Sequence, residues 1–402
     1  MYKKQQSGGR PFHSRHDSGK KFGNRPVGKK TFAKQGQFSD ISKFVKKADT
    51  VSEVKPYVAV NKFTDFLIDQ NLKNNILTVG YTQPTAIQDQ AIPYILDGKD
   101  LVGIANTGTG KTATFIIPFL NRVIKDRKQK VLIMAPTREL AIQINHAFMK
   151  LANGLSIYSV CLVGGMPINR QIGDLHRNYN FIIGTPGRIK DLANRNCVKL
   201  NEFSGVVLDE ADRMLDMGFI HDMRFIISAL PKTRQTLLFS ATLSNDIKKI
   251  VNDFVSNPVN ISVKTGDTAC GVDQDVVYVK SGSKIDILHN LLKNPEFDKV
   301  LIFGRTKHGV QRLSKILAER GFRAESIHGN KNHSQRQRAL IQFKENKSKI
   351  LVATDVAARG LDIPNVSHVI NYELPATYED YIHRIGRTGR AGKTGKALTF
   401  VG

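Results

Sequence analysis

Val206-Val207-Leu208-Asp209-Glu210-Ala211-Asp212 is the stretch on which the reading of this chain turns. A short apolar run ending in two adjacent carboxylates has the pattern of a buried parallel strand whose acids emerge at its C-terminal edge. In open α/β sheets that edge is where ligands bind. Two carboxylates there could hold a hard divalent cation and orient a water. The alternative is an aspartate that caps the next helix. About a hundred residues upstream stands Ala105-Asn106-Thr107-Gly108-Thr109-Gly110-Lys111-Thr112. Its glycines let backbone N–H groups turn around phosphate oxygens, Lys111 supplies a point charge, and Thr112 offers a hydroxyl to Mg²⁺. Position 105 is Ala where the general phosphate-loop pattern has Gly. Strand, loop, helix and a second strand ending in Asp-Glu together read as a Mg-nucleotide hydrolysis site.

Outward from these two stretches, helical patterns alternate with short apolar strands. Strands are expected at Leu101–Ile104, Val131–Ala135, Tyr158–Leu162, Phe181–Ile183, Val206–Leu208 and Thr236–Phe239. A second series is expected at Val276–Val279, Val300–Phe303, Glu325–Ile327, Ile350–Ala353, His368–Tyr372 and Ala397–Val401, with helices over Ile285–Leu292 and Val310–Arg320 between them. The fold class is α/β, two tandem doubly wound parallel sheets with the site in the cleft between them. Residues 1–55 form a basic tail, 56–264 the first domain, 265–275 a linker with two glycines and no periodicity, and 276–402 the second domain.

With 402 residues the chain is long enough for two such domains. Sixty lysines and arginines against 35 acids leave a formal charge of +25, which calls for a polyanionic partner. The first fifty residues carry thirteen of those cations against three aspartates, with Phe12, Phe22, Phe32 and Phe38 interleaved. Such a tail buries too little apolar surface to fold alone. Bases could stack on its rings while its cations hold phosphates, or it is a solubilising segment. No leader-like or membrane-length apolar run occurs, and Cys161, Cys197 and Cys270 fit neither a metal spacing nor a disulfide framework. A reducing, cytoplasmic setting follows.

After the phosphate loop, Asp209-Glu210-Ala211-Asp212 resembles the signature of the DEAD-box RNA helicases of superfamily 2, and the family's other motifs follow in order from Phe63 to the C-terminus. The chain is similar to a bacterial-type minimal helicase core. The resemblance implies two RecA-like domains, ATP and Mg²⁺ as cofactors, and RNA as a largely sequence-independent partner of a monomeric enzyme without a membrane role. It implies an adenine-reading segment Gly80–Gln88, with Tyr81, Gln83 and Gln88, and with Phe63 seventeen residues before Gly80. A carboxamide can pair with adenine N6 and N7 while an aromatic ring stacks on the base. Asn106, Thr107, Gly108, Thr109, Gly110, Lys111 and Thr112 would hold the phosphates, Thr112 and Asp209 the metal, and Gly360 and Asp362 the ribose. Glu210 would position or deprotonate water.

Ser240-Ala241-Thr242 matches the motif linking hydrolysis to strand separation, its hydroxyls available to Asp212 and the second domain. His383-Arg384-Ile385-Gly386-Arg387-Thr388-Gly389-Arg390 carries the catalytic histidine, His383, and the arginines Arg387 and Arg390, which neutralise charge developing on the transferred phosphoryl group. RNA contacts are implied for Pro136, Thr137, Arg138, Gly164, Gly165, Thr185, Pro186, Gly187 and Arg188. In the second domain they are implied for Arg305, Gly329, Gln335, Arg338 and Thr354.

Two rivals remain at this point. A DNA translocase of the same superfamily is opposed by the Gly80–Gln88 segment and Asp-Glu-Ala-Asp. An RNA-annealing or clamp protein is opposed by Glu210, Arg387 and Arg390, though the tail makes annealing a plausible second activity. The family's second domain usually continues with a helix after the strand at Ala397–Val401. Either this sheet closes without it or the sequence is incomplete.

Overall fold

The computed structural model describes residues 57–106, 108–263, 272–279, 283–358, 363, 365–389 and 395–402. The tail, Thr107, most of the linker, Gly360, Asp362 and Arg390 therefore lie outside the described residues.

The first sheet has seven strands: β1 (Leu101–Ile104), β2 (Val131–Met134), β3 (Ser159–Leu162), β4 (Phe181–Gly184), β5 (Gly205–Leu208), β6 (Gln235–Ser240) and β7 (Val259–Ser262). Their order is β3-β4-β2-β5-β6-β1-β7, and every pairing is parallel. Side chains alternate along a strand, so a sheet covered on both faces needs apolar residues at every position. The strand at Val206–Leu208 shows this: Val207 packs with Leu237 and Phe239 on one face, and Val206 and Leu208 pack with Leu132 and Leu238 on the other. The second sheet contains β8 (Val272–Tyr278), β9 (Val300–Gly304), β10 (Ala324–Ile327), β11 (Ile350–Thr354), β12 (His368–Asn371) and β13 (Gly395–Val401), in the order β10-β11-β9-β12-β13-β8, again all parallel.

Two strands differ from the expectation. β7 was not anticipated: it is short and half-exposed, and among the described residues it pairs only with β1. β8 starts at Val272, so residues 272–275, read as linker, are strand. Val272 and Gln274 are buried while Asp273 and Asp275 face outward, and two acids in four positions hide an edge strand.

The strand order places the chemistry. β5, β6 and β1 are neighbours, and they end respectively in Asp209-Glu210, Ser240 and the phosphate loop. Ala105 N donates to Ser240 O (3.0 Å) and Asp209 N to Met134 O (3.0 Å), so both motifs are pinned to the sheet at their first residue. Adjacent strands lie about 4.8 Å apart, which sets loop and acids roughly 10 Å from each other.

Candidate active site

The phosphate loop runs from Ala105 into the helix Lys111–Lys125. Gly110 has φ +95°, a backbone that side-chain-bearing residues rarely adopt, and a Cβ there would sit 2.6 Å from Gln88 Nε2. Lys111 is 6% exposed and donates to the Ala105 carbonyl (2.9 Å), folded back over the loop. Thr109 Oγ1 donates to Asn106 O (2.8 Å), and Thr112 is half-buried in the first helical turn.

Across β6, Asp209 is 2% exposed, and its Oδ1 is a buried oxygen without a hydrogen-bond partner. Burial pushes its carboxyl up to about 7; Lys111 works against this and Glu210 adds to it. Glu210 stands in the left-handed region (φ 54°, ψ 52°), a strained geometry for a residue with a side chain, costing about 1–3 kcal/mol. The reversal carries the chain from β5 into the helix Ala211–Asp216 across only two residues, Asp209 and Glu210. Arg213, one helical turn on, donates from Nη1 to Glu210 Oε2 (2.8 Å), with both side chains buried.

Asp212 ties this helix to β6, but not through the hydroxyls expected of Ser240 and Thr242. Its Oδ2 accepts from the backbone N–H groups of Ala241 (3.0 Å) and Thr242 (3.2 Å). Ser240 Oγ instead donates to Thr242 O (2.8 Å), closing the turn on itself. The backbone donors just past the end of β6 are held by the sheet, so the helix-borne Asp212 carboxylate meets them without ordering a rotatable hydroxyl.

From the second sheet comes the helix Tyr378–Ile385 and the turn that follows it. His383 is pushed down to about 4, first by burial, then by Arg213 and Arg387, with Asp212 and Glu210 opposing. Those neighbours set His383 of one lobe against the acids of the other, with Arg387 beside it. At neutral pH the imidazole is uncharged and the positive charge here belongs to the arginines. Arg387 is 3% exposed. Arg384, three residues earlier, is 1% exposed and grips Asp355 with two nitrogens, Nη2–Oδ2 at 2.7 Å, while Nη1 donates to Asn371 Oδ1 (3.2 Å) and Glu373 O (2.6 Å).

The segment expected to read adenine is differently arranged. Phe63 is 2% exposed, stacked on Tyr81 (centroids 6.0–6.2 Å from both neighbours) with Phe66 at its edge. It offers no open face to a base, and Tyr81 is the partly exposed ring. Gln88 is the third residue of a capping box: its Oε1 accepts from Thr85 N (2.9 Å) and its Nε2 donates to Gly110 O (3.1 Å). Gln83 is exposed. Asp89, which the sequence did not single out, accepts from Tyr57 OH (2.7 Å), Val60 N (2.7 Å), Asn61 N (3.1 Å) and Asn61 Nδ2 (2.7 Å), fastening residues 57–61 to this helix.

On the other side of the cleft, a cavity of about 510 Å³ is lined from both lobes, by Thr137, Arg138, Thr185 and Arg188 and by Gly329 and Arg336 among others. Thr137 caps the helix Arg138–Leu151, accepting from Leu140 N (3.2 Å), and Pro136 is buried beside it. Thr185 and Pro186 start the helix Pro186–Asn194, with Gly187 in its first turn. Gly164 and Gly165 lie under Arg138: a Cβ on Gly165 (φ +74°) would be 2.0 Å from Arg138 Nη1.

The expected pair Gln335 and Arg338 is not what enters this space. Gln335 Oε1 accepts from Asn332 N (3.0 Å) in a capping box, and Arg338 is exposed. Arg336, passed over in the sequence, reaches across to an ion pair with Glu139 of the first lobe. Thr354 is buried at the end of β11, Gly329 is exposed, and Arg305 is exposed with its N–H on Glu373 Oε2.

A phosphate loop and a paired-acid strand end in one parallel sheet, faced by a histidine and an arginine from a second, define a two-lobed nucleotide hydrolase. Comparison with known proteins narrows the class. Residues 85–250 match the DEAD/DEAH box helicase family and residues 283–392 the helicase conserved C-terminal domain. The chain is 46% identical over 344 residues to the ATP-dependent RNA helicase CshA of Listeria monocytogenes, covering 85% of this chain and 66% of that one. It is 45% identical over 341 residues to the DEAD-box ATP-dependent RNA helicase CshA of Bacillus subtilis, covering 84% and 69%. It thus spans about two thirds of the length of these relatives. Among solved structures, S. cerevisiae Dbp5 bound to RNA and ADP BeF3 superposes with a TM-score of 0.75 at 32% identity, covering 84% of this chain and 89% of that one. The chain belongs to the DEAD-box family of ATP-dependent RNA helicases.

Proposed function

We propose that this chain hydrolyses ATP in the cleft between its lobes and uses the cycle to grip RNA, open short duplexes locally and let the strand go. The observation that carries the reading is the meeting of Glu210 and Asp212 of one lobe with His383 and Arg387 of the other, beside the buried Asp209 and Lys111. Glu210, aimed by its left-handed backbone and steadied by Arg213, would orient or deprotonate the attacking water. Arg387 would meet charge that develops on the phosphoryl group, and Arg390 is assigned the same work from the sequence.

The residues present suit Mg²⁺. Asp209 has a buried oxygen without a partner, and Thr112 stands at the first turn of the phosphate-loop helix. Among the described residues no group of three or more His, Cys, Asp or Glu could cage a metal. This is the pattern of an ion that keeps waters and phosphate oxygens as ligands. Bound there, Mg²⁺ would neutralise phosphate charge.

RNA would run along the face carrying Arg138, Gly165, Thr185 and Arg188, and closure, held by the Arg336–Glu139 pair, adds Thr354 from the second lobe. Contacts of these types are to phosphate and sugar, so sequence preference should be low and a monomer suffices. Duplex opening follows if the face fits only a bent strand. Gly360 and Asp362 are assigned to ribose, and residues 1–55 to additional RNA contact. Among the described residues no helix is long and apolar enough to cross a membrane.

Phosphate release by the full chain, with RNA and with DNA of equal length, tests the proposal. RNA should stimulate turnover strongly and DNA weakly, and Glu210→Gln should abolish the stimulation while ATP and RNA still bind. Equal stimulation by DNA, or strong residual turnover in the variant, would overturn it.

A further inference from the structure

The helix Tyr378–Ile385, which delivers Arg387, is anchored by more than the arginine it carries. Tyr381 is fully buried, and its hydroxyl donates to Gln274 Oε1 (2.8 Å). Gln274 is 6% exposed and lies on β8, the strand that enters the second sheet after the segment joining the lobes. It is registered against Ala397 of β13. A phenol and a carboxamide are costly to bury without hydrogen-bond partners, and the Tyr381 hydroxyl also meets the Thr399 side chain on β13. Two apolar residues would have packed that interface as well. Burial pushes the Tyr381 hydroxyl up to about 12, so it remains a proton donor throughout the working pH range.

The grip on Arg387 is otherwise made close to it. Its own N–H donates to Arg384 O (3.1 Å), Arg384 is locked to Asp355, and Thr388 Oγ1 donates to Val366 O. Those contacts tie the arginine to the interior of its own lobe. Tyr381 adds a tie to β8, the strand nearest in sequence to the other lobe. We infer that the Tyr381–Gln274 hydrogen bond is a positioning contact that sets the finger helix, so that closure delivers Arg387 in register with the phosphoryl group. Tyr381 and Gln274 are buried inside the second lobe, so they act through the helix. A displacement of about 1 Å at a catalytic group can cost on the order of a hundredfold in rate, and loss of one tie among several is expected to cost less.

The inference rests on the cleft being an ATPase, and the test separates the two. Steady-state hydrolysis and melting are measured for the full chain as wild type, Tyr381→Phe, Gln274→Leu and the double variant. Tyr381→Phe should lower kcat at saturating ATP and RNA about tenfold, with the KM for ATP and the RNA midpoint within twofold. Affinity for ADP with aluminium fluoride, a transition-state mimic, should fall in proportion, and affinity for a non-hydrolysable ATP analogue should hold. The double variant removes the phenol and the carboxamide together, so its melting temperature should lie above that of Gln274→Leu while kcat stays low. If kcat recovers together with melting, or stays within twofold in every variant, the contact is only packing and the inference fails. Absence of RNA-stimulated hydrolysis in the wild type would instead overturn the functional reading beneath it.

Discussion

Arg336→Met should uncouple RNA binding from the nucleotide state. Arg336 and Glu139 form an ion pair between the lobes with side chains 16% and 6% exposed, so solvent screens it little. A hydrogen bond to a charged group is worth about 1.5–3 kcal/mol. Arg138 lies close enough to both Arg336 and Arg188 to feel their charge, and removing Arg336 relieves part of that repulsion. The net loss therefore sits near the lower end, about 1.5 kcal/mol, or roughly tenfold in the equilibrium that closes the lobes. Because the pair exists only between closed lobes, the loss should fall on the closed state. Fluorescence anisotropy with labelled single-stranded RNA measures it: about tenfold weaker binding with a non-hydrolysable ATP analogue, and little change with ADP. Glu139→Gln should move affinity the same way, and the double variant should lose less than the sum. Equal losses with both nucleotides would show that Arg336 is an ordinary RNA contact and that the pair does not report closure.

Gly165→Ala should weaken RNA binding about tenfold and leave ATP binding unchanged, since the new methyl displaces Arg138 and strains a backbone at φ +74°; titrations of both ligands check this. Asp89→Asn should destabilise the first lobe by about 1–3 kcal/mol at neutral pH, read by chemical denaturation. Burial alone would raise the Asp89 carboxyl, but the hydrogen bonds from Tyr57, Asn61 and Val60 outweigh it and hold it below the ordinary range. Its contribution is therefore complete above about pH 4 and lost as pH falls through the folded value, so variant and wild type should converge in acid. Deleting residues 1–50 should leave kcat at saturating RNA unchanged and lower RNA affinity most at low salt. If about five of its cations meet phosphates, a fourfold rise in salt removes on the order of a hundredfold of that contribution; parallel salt slopes would make the tail a passive solubiliser.

The sheets and the nucleotide edge were legible because they rest on short-range signals: apolar runs of strand length, a glycine-rich turn before a helix, acids after a strand. Side-chain direction within a motif was not. Gln335 and Arg338 have the expected three-residue spacing, yet Asn332-x-x-Gln335 is also a capping box, and the cap holds the glutamine. That signal was in the sequence, and it frees Arg336 as the residue to watch. Arg213, one turn after Glu210, was equally findable as an i, i+3 partner. Phe63 could not be placed, because whether a ring faces a base or a core depends on Phe66 and Tyr81 folding against it. The use of backbone rather than hydroxyls at Asp212 depends on β6 lying beside β5, which is a property of the assembled sheet.

We propose that Gln88 bears on how nucleotides are told apart. Its carboxamide already spends one lone pair on Thr85 and one N–H on Gly110, leaving one acceptor position and one donor position for a base. A base that uses both leaves the amide oriented as it stands, with the Gly110 carbonyl still held. A base that presents the opposite donor and acceptor pattern favours a flipped amide, which would release Gly110 and slacken the turn that wraps the phosphates. Discrimination among nucleoside triphosphates would then be expressed in how firmly the phosphates are clasped, and so in turnover, more than in how often the site is filled.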